Sequence, residues 1–242
     1  MRVCVDAMVG AAGIATYSRG MIGALRPDVA LTQTRGLAAR AAFRELNLPR
    51  VLERADAVVC VSHATRDALL AHVRVDPAKC HVVGQGPSPF PSLPWRPDRD
   101  DPYFLYVGET FPRKNLGSLP TDLPLKVVGP GTEFVSDERL AELYAGASAL
   151  VLPSLAEGFG RTALDAMARG VPVLASDIPA LRELCGDAAL LVERPLEPSA
   201  WTEAVEALPG AAEELSRRGL ERAEAFTWPR VGEQMRALLA GL

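Results

Sequence analysis

The chain has 242 residues, 48% of them apolar and 23% charged, a composition that fits a globular protein with a core and excludes a disordered or fibrous one. A net charge of -4 gives no electrostatic footprint for nucleic acid or an anionic membrane, so any anion must be held by a local pocket. Cys4, Cys60, Cys80 and Cys185 form no CxxC pair and read as reduced, mostly buried thiols rather than disulfides or metal ligands.

The elements alternate from the start. Val3 to Ala7 reads as a strand, Gly10 to Gly13 as a glycine turn, and Ile14, Tyr17, Met21, Ile22 and Leu25 recur at helical spacing. A further helix is predicted from about Ala38 to Arg54, bent or split at Pro49. The continuous apolar run Ala57 to Val61 predicts a parallel-sheet strand, followed by a helix capped at Ser62 or Thr65. His81 to Val83 predicts a short strand closed by GQG. No apolar run reaches the roughly 18 residues of a membrane span, and a strand beginning at Arg2 leaves no room for a signal peptide. The expectation is a cytoplasmic protein, or one peripheral at the inner membrane face.

"PSPFPSLPWRPDRDDP", Pro87 to Pro102, holds six prolines without period and reads as a linker. The expected division is a reduced first domain over 1–90, a linker over 91–101 and a second domain over 102–242, its last helix packing back on the first domain. In the second block, strands are predicted at Tyr103 to Val107, Leu125 to Val128, Ala149 to Leu152, Val171 to Ala175 and Ala188 to Val192. Helices are predicted from Ser136 or Asp137 through Tyr144, after Glu157 to Arg169 with a stop at Gly170, over Pro198 to Leu208, over Ala211 to Phe226 and over Trp228 to Leu239. Such alternation implies an α/β fold of two parallel-sheet, Rossmann-like domains with helices on both faces.

In open α/β sheets ligands bind beyond the carboxyl ends of the strands. Those ends deliver "GETFPRKNL" from Gly108 with the cations Arg113 and Lys114, "GPG" from Gly129 and Pro130, and "PSLAEGFG" with Glu157, Gly158, Phe159 and Gly160. Paired cations and free backbone N–H groups suit a diphosphate, small residues let the backbone approach it, and carboxylates accept from sugar hydroxyls. Each piece also has a structural reading: a solvated cation pair, a plain turn at Gly10 to Gly13, an acid at a helix start for Glu157, a solvated helix acid for Asp165. Their joint placement favours a ligand.

"GFGRTA", with Asp177 further on, also fits a dinucleotide fingerprint, but "PSLAE" separates it from the strand and the fingerprint has no use for Glu157 or the Arg113–Lys114 pair. "DRD", Asp98 to Asp100, lies in the linker and lacks the preceding strand a metal-binding DxD needs. His63, His72 and His81 show no ligand spacing, and His63 reads as a helix start. Ser62 lacks a G-x-S-x-G setting.

"YVGETFPRKNL", "VVGPG", "VSDERLAELYAGASALVLPSLAEGFGRTALDAMARGVPVLASDIPALRELCGDAALLV" and "FTW" resemble the retaining GT-B glycosyltransferases of family 4, the glycosyl transferases group 1. "MRVCVDA…GIATYSRGMIGAL" and "ADAVVCVSHATRDALL" resemble the amino-terminal domain of the same family. The resemblance implies that Glu157 and Asp165 fill the E-x7-E motif, Asp standing in the second slot, the first acid by the donor sugar and the second on the ribose. It implies Arg113 and Lys114 on the donor diphosphate, Gly158 to Gly160 with Arg161 and Thr162 along the donor, and Gly13 facing the same phosphates. The implied chemistry is metal-independent hexosyl transfer from a UDP- or GDP-linked sugar to a saccharide or lipid-linked acceptor with retention at the anomeric carbon, as in polysaccharide biosynthesis, without a separate cofactor.

The chain departs from the pattern where the first domain shortens between Leu25 and Ala38, where the family's acceptor-domain histidine has no counterpart, and where "TEF" replaces a helix and a strand. Edges left by the trimming would be covered by a partner subunit or a second copy. The alternatives are a nucleotide-sugar-binding protein without transfer, perhaps one subunit of a larger transferase, and a sugar-nucleotide epimerase or dinucleotide enzyme on a similar fold.

Overall fold

The computed structural model describes residues 3–6, 52–130, 132–133 and 135–242, the first four in backbone only. The expected glycine turn at Gly10 to Gly13, the helix after it and most of the helix from Ala38 lie outside the described residues; of the latter, residues 52–54 are helical. The chain divides into two compact units, Met1–Gly86 with Trp228–Leu242, and Pro87–Thr227.

The first unit carries a parallel three-stranded sheet in the order β1 (Val3–Asp6), β2 (Ala57–Cys60), β3 (Cys80–Val82). Helix α1 (His63–His72) begins where its sequence signals it: Ser62 is the N-cap, its hydroxyl accepting from the Thr65 N–H at 3.0 Å. Leu52, Val58, Cys60 and Leu69 form the core here. The terminal helix Trp228–Ala240 belongs to this unit, and Trp228 packs so closely on Gly86 that a Cβ there would meet its ring at 2.7 Å.

The second unit holds five parallel strands in the order β5-β4-β6-β7-β8: β4 (Phe104–Val107), β5 (Leu125–Val128), β6 (Ala149–Leu152), β7 (Val173–Ser176) and β8 (Leu190–Val192). Strands β6 and β7 are buried along their whole length, which is why they read as unbroken apolar runs. Between the strands run α2 (Asp137–Gly146), capped by Ser136, α3 (Arg161–Met167) and α4 (Pro179–Cys185). The sequence reading missed α4; its signal is Pro179 in the first turn.

The two helices expected at Pro198 to Leu208 and Ala211 to Phe226 are one, α5 (Pro198–Ala223), with Pro209 inside it. The reason is packing. Trp201, Leu208 and Leu215 lie in a single core with Phe104, Val151 and Leu174, so the apolar face continues across the Pro-Gly pair and outweighs local propensity. The closing helix Trp228–Ala240, introduced above, is α6.

The proline-rich segment is not a free linker. It is part of the second unit, which begins at Pro87 rather than after residue 90. The Trp95 indole donates to the Ala147 carbonyl at 2.8 Å, and the Arg96 and Asp98 N–H groups donate to Ala145 and Gly146 at the end of α2. Asp98 turns its carboxylate to the N–H groups of Asp100 and Asp101, the work of a turn residue.

Candidate functional site

The central strands β4 and β6 are neighbours, so the loops leaving their carboxyl ends meet although the sequence separates them by about forty residues. After β4, Pro112–Lys114 makes one 3-10 turn, ended by Asn115 in the left-handed conformation. Asn115 holds that turn by donating its side-chain amide to Ser118 Oγ and the Pro195 carbonyl, both at 2.8 Å. The loop after β6 is stitched to it: the Leu155 N–H donates to the Arg113 carbonyl at 2.9 Å, and Arg113 Nη1 donates to the Ala156 carbonyl at 3.3 Å.

These contacts bring the predicted triad together. Lys114 Nζ is ion-paired with Glu157 Oε1, each side chain only 13% exposed, and Arg113 stands on the same turn. Among the described residues no carboxylate lies within ion-pair distance of Arg113. A half-buried cation pair whose charge one carboxylate offsets only in part, among the described residues, can attract an anion, because the reduced dielectric strengthens it relative to a solvated pair.

The glycines act by shape. Gly108 and Gly129 have φ of +147° and +146°, and a Cβ on Gly129 would lie 2.4 Å from the Gly108 carbonyl oxygen. The expectation of free N–H groups does not hold at these two positions: Gly108 donates to Val128 at 2.8 Å and Gly129 to Glu133 at 3.0 Å. Pro130, beside them, is exposed.

Gly158, Phe159 and Gly160 are buried. Phe159 meets Phe226 edge-on with centroids 5.7 Å apart, and Gly160, at φ +96°, leaves room for Leu181, whose Cδ2 would lie 2.4 Å from a Cβ. Gly160 is the N-cap of α3 and provides no side-chain cap, so Arg161 and Thr162, both half-buried, open a helix whose first turn is not closed by a side chain.

Asp165 is held by other partners, Ser88 and Arg169. It is 4% exposed, and both carboxylate oxygens are occupied by Ser88, whose N–H donates to one at 2.5 Å and whose hydroxyl donates to the other at 2.8 Å. Burial pushes its carboxyl above the ordinary range, while the Ser88 donors and then Arg169 draw it back. Gly13 lies outside the described residues. His63 is the first residue of α1, and Asp177 pairs with Arg182 at 2.8 Å instead of standing open for a ribose.

Sequence reasoning missed Tyr106. Its ring is fully buried under the site and its hydroxyl donates to the Glu109 carbonyl at 2.6 Å, bracing the turn that follows Gly108. Burial, then the negative charge of Glu157, pushes its phenol up, with Arg113 pulling the other way. Its signal is the residue type: a tyrosine among the apolar residues of a central strand must find a partner for its hydroxyl.

Among curated proteins the chain is 29% identical over 204 residues to the O-antigen chain mannosyltransferase RfbU of Salmonella typhimurium, covering 72% of this chain and 57% of that one. It is 30% identical over 171 residues to the O-antigen chain mannosyltransferase B of Escherichia coli, covering 52% and 42%. The chain thus spans about half the length of these relatives. Among solved structures it superposes on a sucrose-phosphate synthase from Thermosynechococcus elongatus with a TM-score of 0.69 at 23% identity, over 99% of this chain and 68% of that one, which establishes the GT-B fold. Residues 32–87 match the model for Glycosyltransferase Family 4. Residues 63–209, more than half the chain and including Arg113, Lys114, Glu157 and Asp165, match the model for Glycosyl transferases group 1, and the chain belongs to that family.

Proposed function

We propose that this chain is a hexosyltransferase that moves a sugar from a nucleotide-diphosphate donor to a saccharide or lipid-linked saccharide, with retention of configuration and without a metal. The observation that carries the reading is the convergence of Arg113, Lys114 and Glu157 on one strand edge, partly withdrawn from water. In this reading Arg113 and Lys114 bind the donor diphosphate and stabilise the charge that develops on it as the glycosidic bond breaks. Lys114 has three N–H donors, so it can hold a phosphate oxygen while remaining beside Glu157. Glu157 orients the sugar through its hydroxyls, and Gly108 and Gly129 let the backbone lie close to the donor. The acceptor hydroxyl attacks on the face the diphosphate leaves, and the departing phosphate takes its proton.

Calorimetry with UDP and GDP, followed by transfer assays with UDP- and GDP-linked hexoses in the presence of a chelator, tests the reading. GDP-mannose is the first donor to try, because the relatives above are mannosyltransferases. Binding of one nucleotide with low-micromolar to millimolar affinity and chelator-insensitive transfer with retained anomeric configuration are expected. Absence of binding to both overturns the reading. The second reading, a donor-binding subunit of a larger transferase, is favoured by the lack of a counterpart in the sequence to the family's acceptor-domain histidine. It predicts nucleotide binding without transfer until a partner is added.

A further inference from the structure

Strand β4 ends at Val107, and the chain leaves it through Gly108 into Glu109. The main chain there is held on both sides. The Gly108 N–H donates to the Val128 carbonyl at 2.8 Å, and the Glu109 carbonyl accepts from the Tyr106 hydroxyl at 2.6 Å. Glu109 is therefore as fixed as the strand it follows, and it is half-buried. Among the described residues nothing hydrogen-bonds or ion-pairs with its carboxylate, whereas Glu157 has Lys114. A half-buried carboxylate without a counter-ion contributes nothing to the fold that a neutral side chain would not.

Tyr106 locates this charge relative to the site. Its phenol is pushed up by burial first and then by Glu157, drawn down by Arg113, and pushed up again by Glu109. One hydroxyl, fixed beneath the edge, thus lies within Coulombic reach of all three charged groups. Arg113 and Lys114 bring two positive charges to the edge; Glu157 offsets one by direct contact, and Glu109 opposes them from beyond ion-pair distance. We propose that Glu109 tunes the grip on the donor diphosphate: its negative charge weakens the hold of Arg113 and Lys114, so that the product nucleoside diphosphate is released instead of retained. The product's terminal phosphate, freed of the sugar and ionised once it has passed its proton to water, carries one negative charge more than it does in the donor. The repulsion from Glu109 therefore falls harder on the product than on the donor. The inference rests on the reading of the Arg113–Lys114–Glu157 edge as a nucleotide-diphosphate site.

The test uses the full chain and the variants Glu109→Gln and Glu109→Asp. Affinities for UDP, GDP, UDP-glucose and GDP-mannose are measured by calorimetry at low and high ionic strength. At low salt Glu109→Gln should bind the nucleoside diphosphate about three- to tenfold more tightly than wild type, with a smaller gain for the matching nucleotide sugar. Both gains should shrink at high salt, as charge effects at a partly exposed site do. Glu109→Asp, which keeps the charge, should restore the wild-type affinities. Unchanged or weaker diphosphate binding in Glu109→Gln, with the wild type still binding, overturns this inference and leaves the donor reading standing. A gain that is equal for product and donor and indifferent to salt marks a change of shape and overturns it as well. Failure of the wild type and both variants to bind any of the four ligands removes the donor reading and this inference with it.

Discussion

Lys114 carries the sharpest residue-level consequence. Its ammonium is the cation that touches Glu157, and in the proposed reaction it also touches phosphate. Lys114→Ala is expected to weaken UDP or GDP binding by about 1.5–3 kcal/mol, the range for a charged hydrogen bond, measured by calorimetry. Glu157→Gln keeps the shape and is expected to abolish transfer while leaving nucleotide affinity within a few-fold. Asp165 predicts a pH dependence of stability. A carboxyl whose folded pKa stands above its ordinary 3.8 holds its proton more tightly when folded. Its contribution is fully favourable below 3.8, declines as pH rises through the raised value, and is constant beyond. Asp165→Asn, which cannot titrate, should lack that decline in urea unfolding measured from pH 3 to 8. Cys185 is buried, and burial lifts its thiol to about 12. It should resist alkylation at pH 8 in the folded protein and react once urea is added.

At the scale of elements, α5 runs through Pro209 because its buried face is continuous, although a proline there removes a helical hydrogen bond. Pro209 is exposed and makes no part of the core, so Pro209→Ala should stabilise the chain by roughly 1–3 kcal/mol in denaturant titration. The strands and most helix starts were legible because their signals are local: unbroken apolar runs for β4, β6 and β7, serine caps for α1 and α2. The split of α5 was misread because the Pro-Gly pair is local too, while the core that overrides it is not. The site was legible as a set of loops, yet the contact of Lys114 with Glu157 depends on β4 and β6 being neighbours, which the run of residues does not state. The role of Ser88 was hidden for the same reason: seventy-seven positions separate it from Asp165, and proline-rich composition looks alike whether a segment is loose or tied down.

On the scale of the whole molecule, every described residue of the proposed donor grip lies in the unit Pro87–Thr227. That unit has its own core around Trp201 and its own sheet edge. Both loops of the edge leave strands β4 and β6 of this core, so the proposed donor site would be built within the later unit. Trp201 is fully buried at the centre of it, and Trp201→Ala is expected to destabilise the protein by about 3–5 kcal/mol, measured by denaturant unfolding.

The meeting of Gly108 and Gly129 sets a boundary on how the protein can be redesigned. Two strand ends pass with main chain against main chain, and no side chain of any size fits at position 129 without prising them apart. In a saturation library selected for transfer, glycine alone should be recovered at 129.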